Sequence, residues 1–277
     1  MSRYWSNIIK ELKPYTPGEQ PKDQQYIKLN TNESPYPPSP KVIHAIKEAA
    51  NDTLRLYPDP ECNALRTVIA EYYGLKLQNM FVGNGSDEVL MLTFLAFFQQ
   101  DHPILFPDIT YSFYQVYCNF LRIRANTIPV TTDFRIRIED YTRPNGGIIL
   151  ANPNAMTGRC VTRQDIDALL MTNTESVVAI DEAYIDFGGE TAIPLINTYP
   201  NLLIIQTLSK SRALAGLRIG FALGGEELIE GLERAKNSFN SYPIRWTGSR
   251  LRAEWPPYRI KPIFRTYVTR LSQPVNG

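Results

Sequence analysis

Apolar residues along the chain follow two different spacings. Positions 42, 43, 46, 49 and 50 recur at helical spacing within Val42 to Leu54, and a second run of this kind covers Leu65 to Tyr73, so two amphipathic helices are expected. After Gly74 the pattern changes to short apolar runs: Met80-Phe-Val, Ile104-Leu-Phe, Ile148-Ile-Leu-Ala, Val177-Val-Ala-Ile, Leu202-Leu-Ile-Ile and Ile219-Gly-Phe-Ala. Short apolar runs bounded by turn formers suit strands buried on both faces, and the lengths between them leave room for crossover helices. The pattern predicts an α/β protein, a three-layer α/β/α sandwich around a mostly parallel sheet. Residues 1–40, rich in Pro, Asn and Tyr without a sustained period, are expected to form an extended N-terminal arm. Residues 41–243 are expected to form the large domain.

Composition narrows the function classes. With 29 Lys and Arg against 28 Asp and Glu in 277 residues, the balance gives no electrostatic case for nucleic acid or an anionic membrane surface. Small-molecule chemistry is the default. Cys62, Cys118 and Cys160 show no paired metal spacing and read as reduced core residues, so no metal site is expected. The first residues lack an apolar signal core and no apolar run reaches the ~20 residues of a bilayer span, which points to the cytoplasm. Charge shifts sharply at the end: residues 244–277 hold seven Lys and Arg, one acid (Glu254) and four prolines, leaving residues 1–243 at about −5.

The candidate chemistry is densest in Gln206-Thr-Leu-Ser-Lys-Ser-Arg-Ala-Leu-Ala-Gly-Leu-Arg-Ile-Gly-Phe, directly after an apolar run. A lysine at the carboxyl end of a buried strand loses hydration unless it is paired or covalently used. Taken singly, Lys210 would more simply reach out to solvent. Arg218, eight residues on, offers a fixed cationic fork, and Thr207 and Ser209 add hydroxyls, so together they describe a phosphate-bearing ligand tied to the lysine. Upstream, Gly83-Asn-Gly-Ser-Asp-Glu opens a helix expected over Asp87–Phe98, placing the Gly85, Ser86 and Asp87 amides where an anion would sit. An ordinary turn and N-cap reads the same way. Asp181 ends another apolar run, where open α/β sheets bind ligands, although such an acid also serves as a local cap. With a pyridoxal cofactor its carboxylate would keep the pyridine nitrogen protonated. Tyr184 and Asn154 could donate to the phenolic oxygen of that cofactor, and Tyr111 could stack on its ring, or simply pack.

These segments, with Leu29-Asn-Thr-Asn-Glu-Ser-Pro-Tyr, Leu56-Tyr-Pro-Asp-Pro, Asn152-Pro-Asn-Ala-Met-Thr-Gly and Ala215-Gly-Leu-Arg-Ile-Gly-Phe, follow a known order. The chain resembles the fold type I pyridoxal-phosphate enzymes over about residues 1–243, most closely the histidinol-phosphate aminotransferase family. The resemblance implies the large domain of that fold, pyridoxal 5'-phosphate as cofactor, and a transamination of histidine biosynthesis. In that reaction L-histidinol phosphate and 2-oxoglutarate give imidazole-acetol phosphate and glutamate. It implies Lys210 as the Schiff-base lysine and proton shuttle, Asp181 as pyridine partner, Tyr184 and Asn154 as phenolate donors and Tyr111 as the stacking ring. Gly85, Ser86, Asp87, Thr207, Ser209 and Arg218 would surround the cofactor and its phosphate. Asn32 and Glu33 would face substrate. Tyr57 would reach a neighbouring subunit's phosphate, implying a homodimer.

Two departures from the family pattern stand out. Met156 replaces a usual Pro and Ala155 a common Asn, so the loop carrying Asn154 is expected to be less rigid. The resemblance also stops after Tyr242-Pro, where the family continues into a small domain; a shifted reading frame there would make 244–277 an aberrant tail and leave that domain largely missing. A threonine-phosphate decarboxylase, an aromatic aminotransferase or a catalytically defective cofactor-binding remnant remain as alternatives. A Rossmann-type nucleotide binder is disfavoured, because Gly83-Asn-Gly lacks a third glycine at the expected offset.

Overall fold

Strands that are apolar at every position need cover on both faces, and the arrangement of helices supplies it. The computed structural model describes residues 2–12, 27–239 and 241. The helices are α1 (Asn7–Glu11), α2 (Pro40–Ala49), α3 (Asn63–Tyr73), α4 (Ser86–Phe97), α5 (Phe113–Leu121), α6 (Arg163–Thr172) and α7 (Glu226–Ser238). The strands are β1 (Met80–Gly83), β2 (Ile104–Pro107), β3 (Ala125–Ile128), β4 (Ile148–Ala151), β5 (Val178–Asp181), β6 (Leu202–Thr207) and β7 (Gly220–Gly224). They form one sheet in the order β1-β7-β6-β5-β4-β2-β3. β7 pairs antiparallel with both β1 and β6, and the other pairings are parallel.

Alternate residues of each strand feed different cores. Ile148, Leu150, Val178, Ile180, Leu202 and Ile204 face one side, where Leu65 and Ile69 of α3 and Ile166 and Leu169 of α6 cover them. Ile149, Ala179, Leu203, Ile205 and Ala222 face the other, covered by Phe94 of α4, Tyr114 of α5 and Leu232 of α7. Each fully buried aliphatic side chain contributes roughly 1.5–3 kcal/mol, against about 0–1 kcal/mol for an exposed ion pair, so the two cores dominate the fold.

Four details differ from the sequence expectation. The first helix ends at Ala49, because Asn51 accepts from the Thr53 amide at 3.0 Å and starts a separate turn at Asp52–Arg55. The opening segment is not wholly extended: Ser6 caps the short helix α1. β3 gave no apolar run, because Asn126 and Thr127 of this edge strand face solvent. Cys160, read as a core residue, is exposed, whereas Cys62 and Cys118 are buried. The expected aberrant tail, 244–277, lies outside the described residues. Among the described residues no helix is long and apolar enough to cross a membrane.

The antiparallel strand positions the site. The parallel strands β1, β4, β5 and β6 end on one edge of the sheet, and β7 begins on that edge, with Gly220 level with Gly83 of β1 and Thr207 of β6. Gly220 touches the first turn of α4 so closely that an added Cβ would lie 2.2 Å from both the Gly85 carbonyl carbon and the Ser86 nitrogen. No side chain there can turn away from backbone. Gly220→Ala is therefore expected to cost about 3 kcal/mol or more, while Gly216→Ala, where no heavy atom lies within 4 Å, leaves stability nearly unchanged. Denaturant unfolding of both variants checks this; equal midpoints would refute the contact's importance.

Candidate active site

The edge where the parallel strands end carries a cavity, and each strand delivers one part of it. Ser86 and Asp87 come from the start of α4, Ala151 from β4, Asp181 and Tyr184 from β5, and Thr207, Ser209 and Lys210 from β6. Tyr111 enters from the loop after β2, and Arg218 from just before β7. Lys210 is held by the N-terminal segment: its Nζ donates to the Thr31 carbonyl at 3.1 Å and sits 5.7 Å from the Tyr184 ring centroid.

One wall is suited to an anion. Gly85, with φ +88°, lets the chain turn into α4 with the first-turn amides aimed outward. The Arg218 guanidinium lies against that glycine, where a Cβ would come within 2.5 Å of its Nη2. Arg218 itself has φ +51°, which for a side-chain-bearing residue costs on the order of 1 kcal/mol. Asp87 holds it, pairing with Nη2 at 3.1 Å, and Asp87 in turn accepts from the Tyr111 hydroxyl at 3.0 Å. Both members of the ion pair are substantially exposed, so the pair adds little stability and chiefly fixes where the guanidinium points. Nearby, the Thr207 hydroxyl donates to the Ile219 carbonyl and accepts from the Ser209 amide at 3.1 Å.

The opposite requirement, a site for a cation, is met by Asp181. Its side chain is buried; the Tyr114 hydroxyl donates to Oδ2 at 2.8 Å and the Ala183 amide to Oδ1 at 3.1 Å. Burial pushes its carboxyl up to about 6, opposed by those two donors.

Other expected residues fall differently. Asn154 is buried but off the cavity wall, its Nδ2 donating to the Ile109 carbonyl at 2.8 Å and its Oδ1 accepting from the Met156 amide at 3.0 Å. These bonds brace the loop that Ala155 and Met156 continue. Asn32 does reach the site, donating to the Tyr184 hydroxyl at 3.0 Å. Glu33 pairs with Lys28 at 2.9 Å. Tyr57 is 87% exposed and stands away from the cavity wall. Among the described residues no cluster of three potential metal ligands exists.

A buried network behind Lys210 was not anticipated from sequence. Glu182 accepts from the Thr191 hydroxyl, the Ala192 amide and Gln206 Nε2, all at 2.8 Å. Gln206 Oε1 accepts from Tyr73 and from Arg212, each at 2.9 Å, and Arg212 also reaches the Thr207 carbonyl and Asp186. Two residues of the lysine loop, Ser211 and Arg212, are thereby anchored to Asp186. The only sequence signal was an arginine two residues after the lysine.

The sequence model of the family described as aminotransferase class I and II matches residues 24–251. Over 244 residues the chain is 61% identical to histidinol-phosphate aminotransferase 1 of Methylococcus capsulatus, covering 88% of this chain and 68% of that protein. It is 59% identical to the histidinol-phosphate aminotransferase of Clostridium acetobutylicum, covering 88% and 69%. In fold it matches the Sinorhizobium meliloti histidinol-phosphate aminotransferase solved with pyridoxal-5'-phosphate. The TM-score is 0.82 at 24% identity, covering 97% of this chain and 76% of the other. A threonine phosphate decarboxylase of Porphyromonas gingivalis shares the fold at a TM-score of 0.63 and 20% identity, covering 87% and 70%.

The buried acid behind the site sets a pH response. Burial pushes Glu182 up to about 7, opposed by its three hydrogen-bond donors and the Arg212 charge. Since this raised value belongs to the folded state, the contribution to stability is present below about pH 4.5 and is lost as pH rises through about 7. Glu182→Gln should abolish that part of the slope, on the order of 3 kcal/mol. Unfolding free energies measured from pH 4.5 to 7.5 test this; parallel curves for both proteins would contradict it.

Proposed function

We propose that this chain, which belongs to the class I and II aminotransferases, carries pyridoxal 5'-phosphate on Lys210 and transfers an amino group from L-histidinol phosphate to 2-oxoglutarate. The products would be imidazole-acetol phosphate and glutamate, a step of histidine biosynthesis. The observation that carries the reading is the convergence on one sheet edge of a lysine, an anion cup and a buried carboxylate. A phosphate suits Arg218 and the first-turn amides of α4, and a protonated pyridine nitrogen suits Asp181, which has no cationic partner within ion-pair distance among the described residues. Sequence identity near 60% to proteins named for that substrate supports the amino donor.

When bound, pyridoxal phosphate supplies a protonated ring that accepts the electron pair left when a substrate Cα–H bond breaks. Asp181 would hold a proton on the ring nitrogen, and Lys210, whose Nζ now donates to the Thr31 carbonyl, would carry the cofactor and, once released, serve as the base that takes the substrate Cα proton. Tyr184, whose hydroxyl Asn32 engages at the cavity, would donate to the phenolic oxygen of the cofactor, and Asn154, which lies off the cavity wall and is bonded to Ile109 and Met156, would have to turn its free amide hydrogen toward that oxygen to serve it as well. Tyr111, whose hydroxyl is tied to Asp87, presents its ring to the cavity for stacking. Asn32 and Glu33 are assigned to the substrate side.

Tyr57, exposed on the surface, is assigned to the phosphate of a second copy, so the working unit is a homodimer with shared sites. Three free cysteines fit a reducing cytoplasm.

The purified protein should show the absorbance of lysine-bound pyridoxal, absent in Lys210→Ala. Added glutamate, and separately histidinol phosphate, should each convert that band to the pyridoxamine form; in the variant supplied with free pyridoxal phosphate, pyridoxamine formation should be roughly 10²–10⁴-fold or more slower. Bound cofactor without conversion by either donor would overturn the transamination and leave a cofactor-binding remnant; no cofactor band would overturn the whole reading.

A further inference from the structure

We propose that Tyr114 is a positioning residue for the candidate reaction, holding Asp181 ionised and aimed at the ring nitrogen through a hydrogen bond from beneath the cavity. The proposal rests on the cofactor reading above; Tyr114 itself stands outside the segments that carry the family resemblance. Tyr114 lies in the first turn of α5 and is fully buried, so its hydroxyl has no solvent to turn to. It donates to Asp181 Oδ2 at 2.8 Å.

The ring is fixed on three sides. Phe94 of α4 stacks on it with centroids 6.2 Å apart, Phe106 of β2 meets it at 6.0 Å, and Tyr111 stands edge-on at 5.6 Å and 85°. A hydroxyl on a ring so confined cannot follow its acceptor; the carboxylate must come to it. With Oδ1 taken by the Ala183 amide, each oxygen of Asp181 is pinned by one donor and keeps further lone pairs for a ligand. The same ring backs Tyr111, so one side chain sets both the acid and the stacking surface.

The charge consequence follows from burial. A carboxylate in this setting favours its neutral form unless donors and cations compensate. The charged groups around it are Asp87 of α4, which disfavours ionisation, and Lys210 and Arg218, which share the cavity. Tyr111 directs its hydroxyl to the Asp87 carboxylate instead, and Tyr117 to the Asp87 backbone carbonyl. Tyr114 is the one side chain that donates a hydrogen bond to Asp181 among the described residues. Without it, the proton shared between acid and ring nitrogen moves toward the acid.

Two measurements test this. In the cofactor-free protein, the Asp181 carboxyl is followed by infrared titration, with Asp181→Asn as assignment control. Tyr114→Phe should make it roughly tenfold or more less acidic. Incorporation of 3-fluorotyrosine at position 114, which retains the ring and strengthens the donor, should shift it the opposite way and covers a phenylalanine variant that fails to fold. In protein loaded with ¹⁵N-pyridoxal phosphate, the nitrogen resonance should move from the protonated toward the neutral position in Tyr114→Phe. The half-reaction rate should fall about 10- to 100-fold with little change in half-saturation. An Asp181 titration unchanged in the variants would overturn the proposal and leave Tyr114 as core packing. Failure of the unaltered protein to bind pyridoxal phosphate would instead overturn the cofactor reading, with the infrared arm still deciding whether Tyr114 governs Asp181.

Discussion

Backbone meets backbone where β7 passes under the start of α4, and the candidate site depends on that contact. Because β7 runs against its neighbours, its first residue lies on the edge where β1 and β6 end, which brings Arg218 beside residues from the parallel strands. Gly220 allows the α4 turn to sit directly on the strand, and Gly85 leaves room for the guanidinium above it. Two glycines and one antiparallel strand thus place an arginine 131 residues away from its partner Asp87. Neither glycine brings a side chain, and an added Cβ would strike the guanidinium at Gly85 and the α4 turn at Gly220.

The edge then separates charges by depth. Arg218 and Asp87 remain partly exposed, where water screens them and their pairing is cheap to make or break, as a wall that exchanges ligands requires. Asp181 and Glu182 are buried, where an unmatched charge is costly and each oxygen must be satisfied. They are consecutive, so at a strand end they leave in opposite directions. Asp181 meets Tyr114 on the cavity side, and Glu182 meets Thr191, Ala192 and Gln206 on the other.

Those positions differ in how far the sequence exposes them. Lys210, Asp181 and Gly85 follow apolar strands, a place that local pattern marks clearly, and Arg218 stands at a fixed distance from the lysine. The six buried strands were likewise visible as apolar runs, whereas β3 was hidden because an edge strand keeps polar residues. Tyr114 and Gln206 were not legible, since an aromatic in a helix and an amide in a strand acquire meaning only from partners 67 and 24 residues away. Asn154 shows the converse: its motif was visible, but its side chain is engaged by the Met156 amide two residues on and the Ile109 carbonyl 45 residues back, bonds that no spacing rule reveals.

The network behind the lysine resolves a conflict between holding and moving. A lysine proposed to alternate between a covalent partner and proton transfer would need a mobile amine on a fixed backbone. Arg212 supplies the second condition by tying the loop to the Thr207 carbonyl, Gln206 and Asp186 at once. A partly exposed partner such as Asp186 adds little net stability, but the Arg212 guanidinium itself is buried, and losing its acceptors would leave it short of partners. The energetic role of the cluster is therefore resistance to displacement. Lys210 Nζ, by contrast, is held by a single carbonyl from Thr31 on a different part of the chain, a bond that a ligand entering the cavity can replace one for one. The anchored part of the loop, Ser211 and Arg212, is thus absent from the cavity wall, and the exchangeable part, Lys210, lines it.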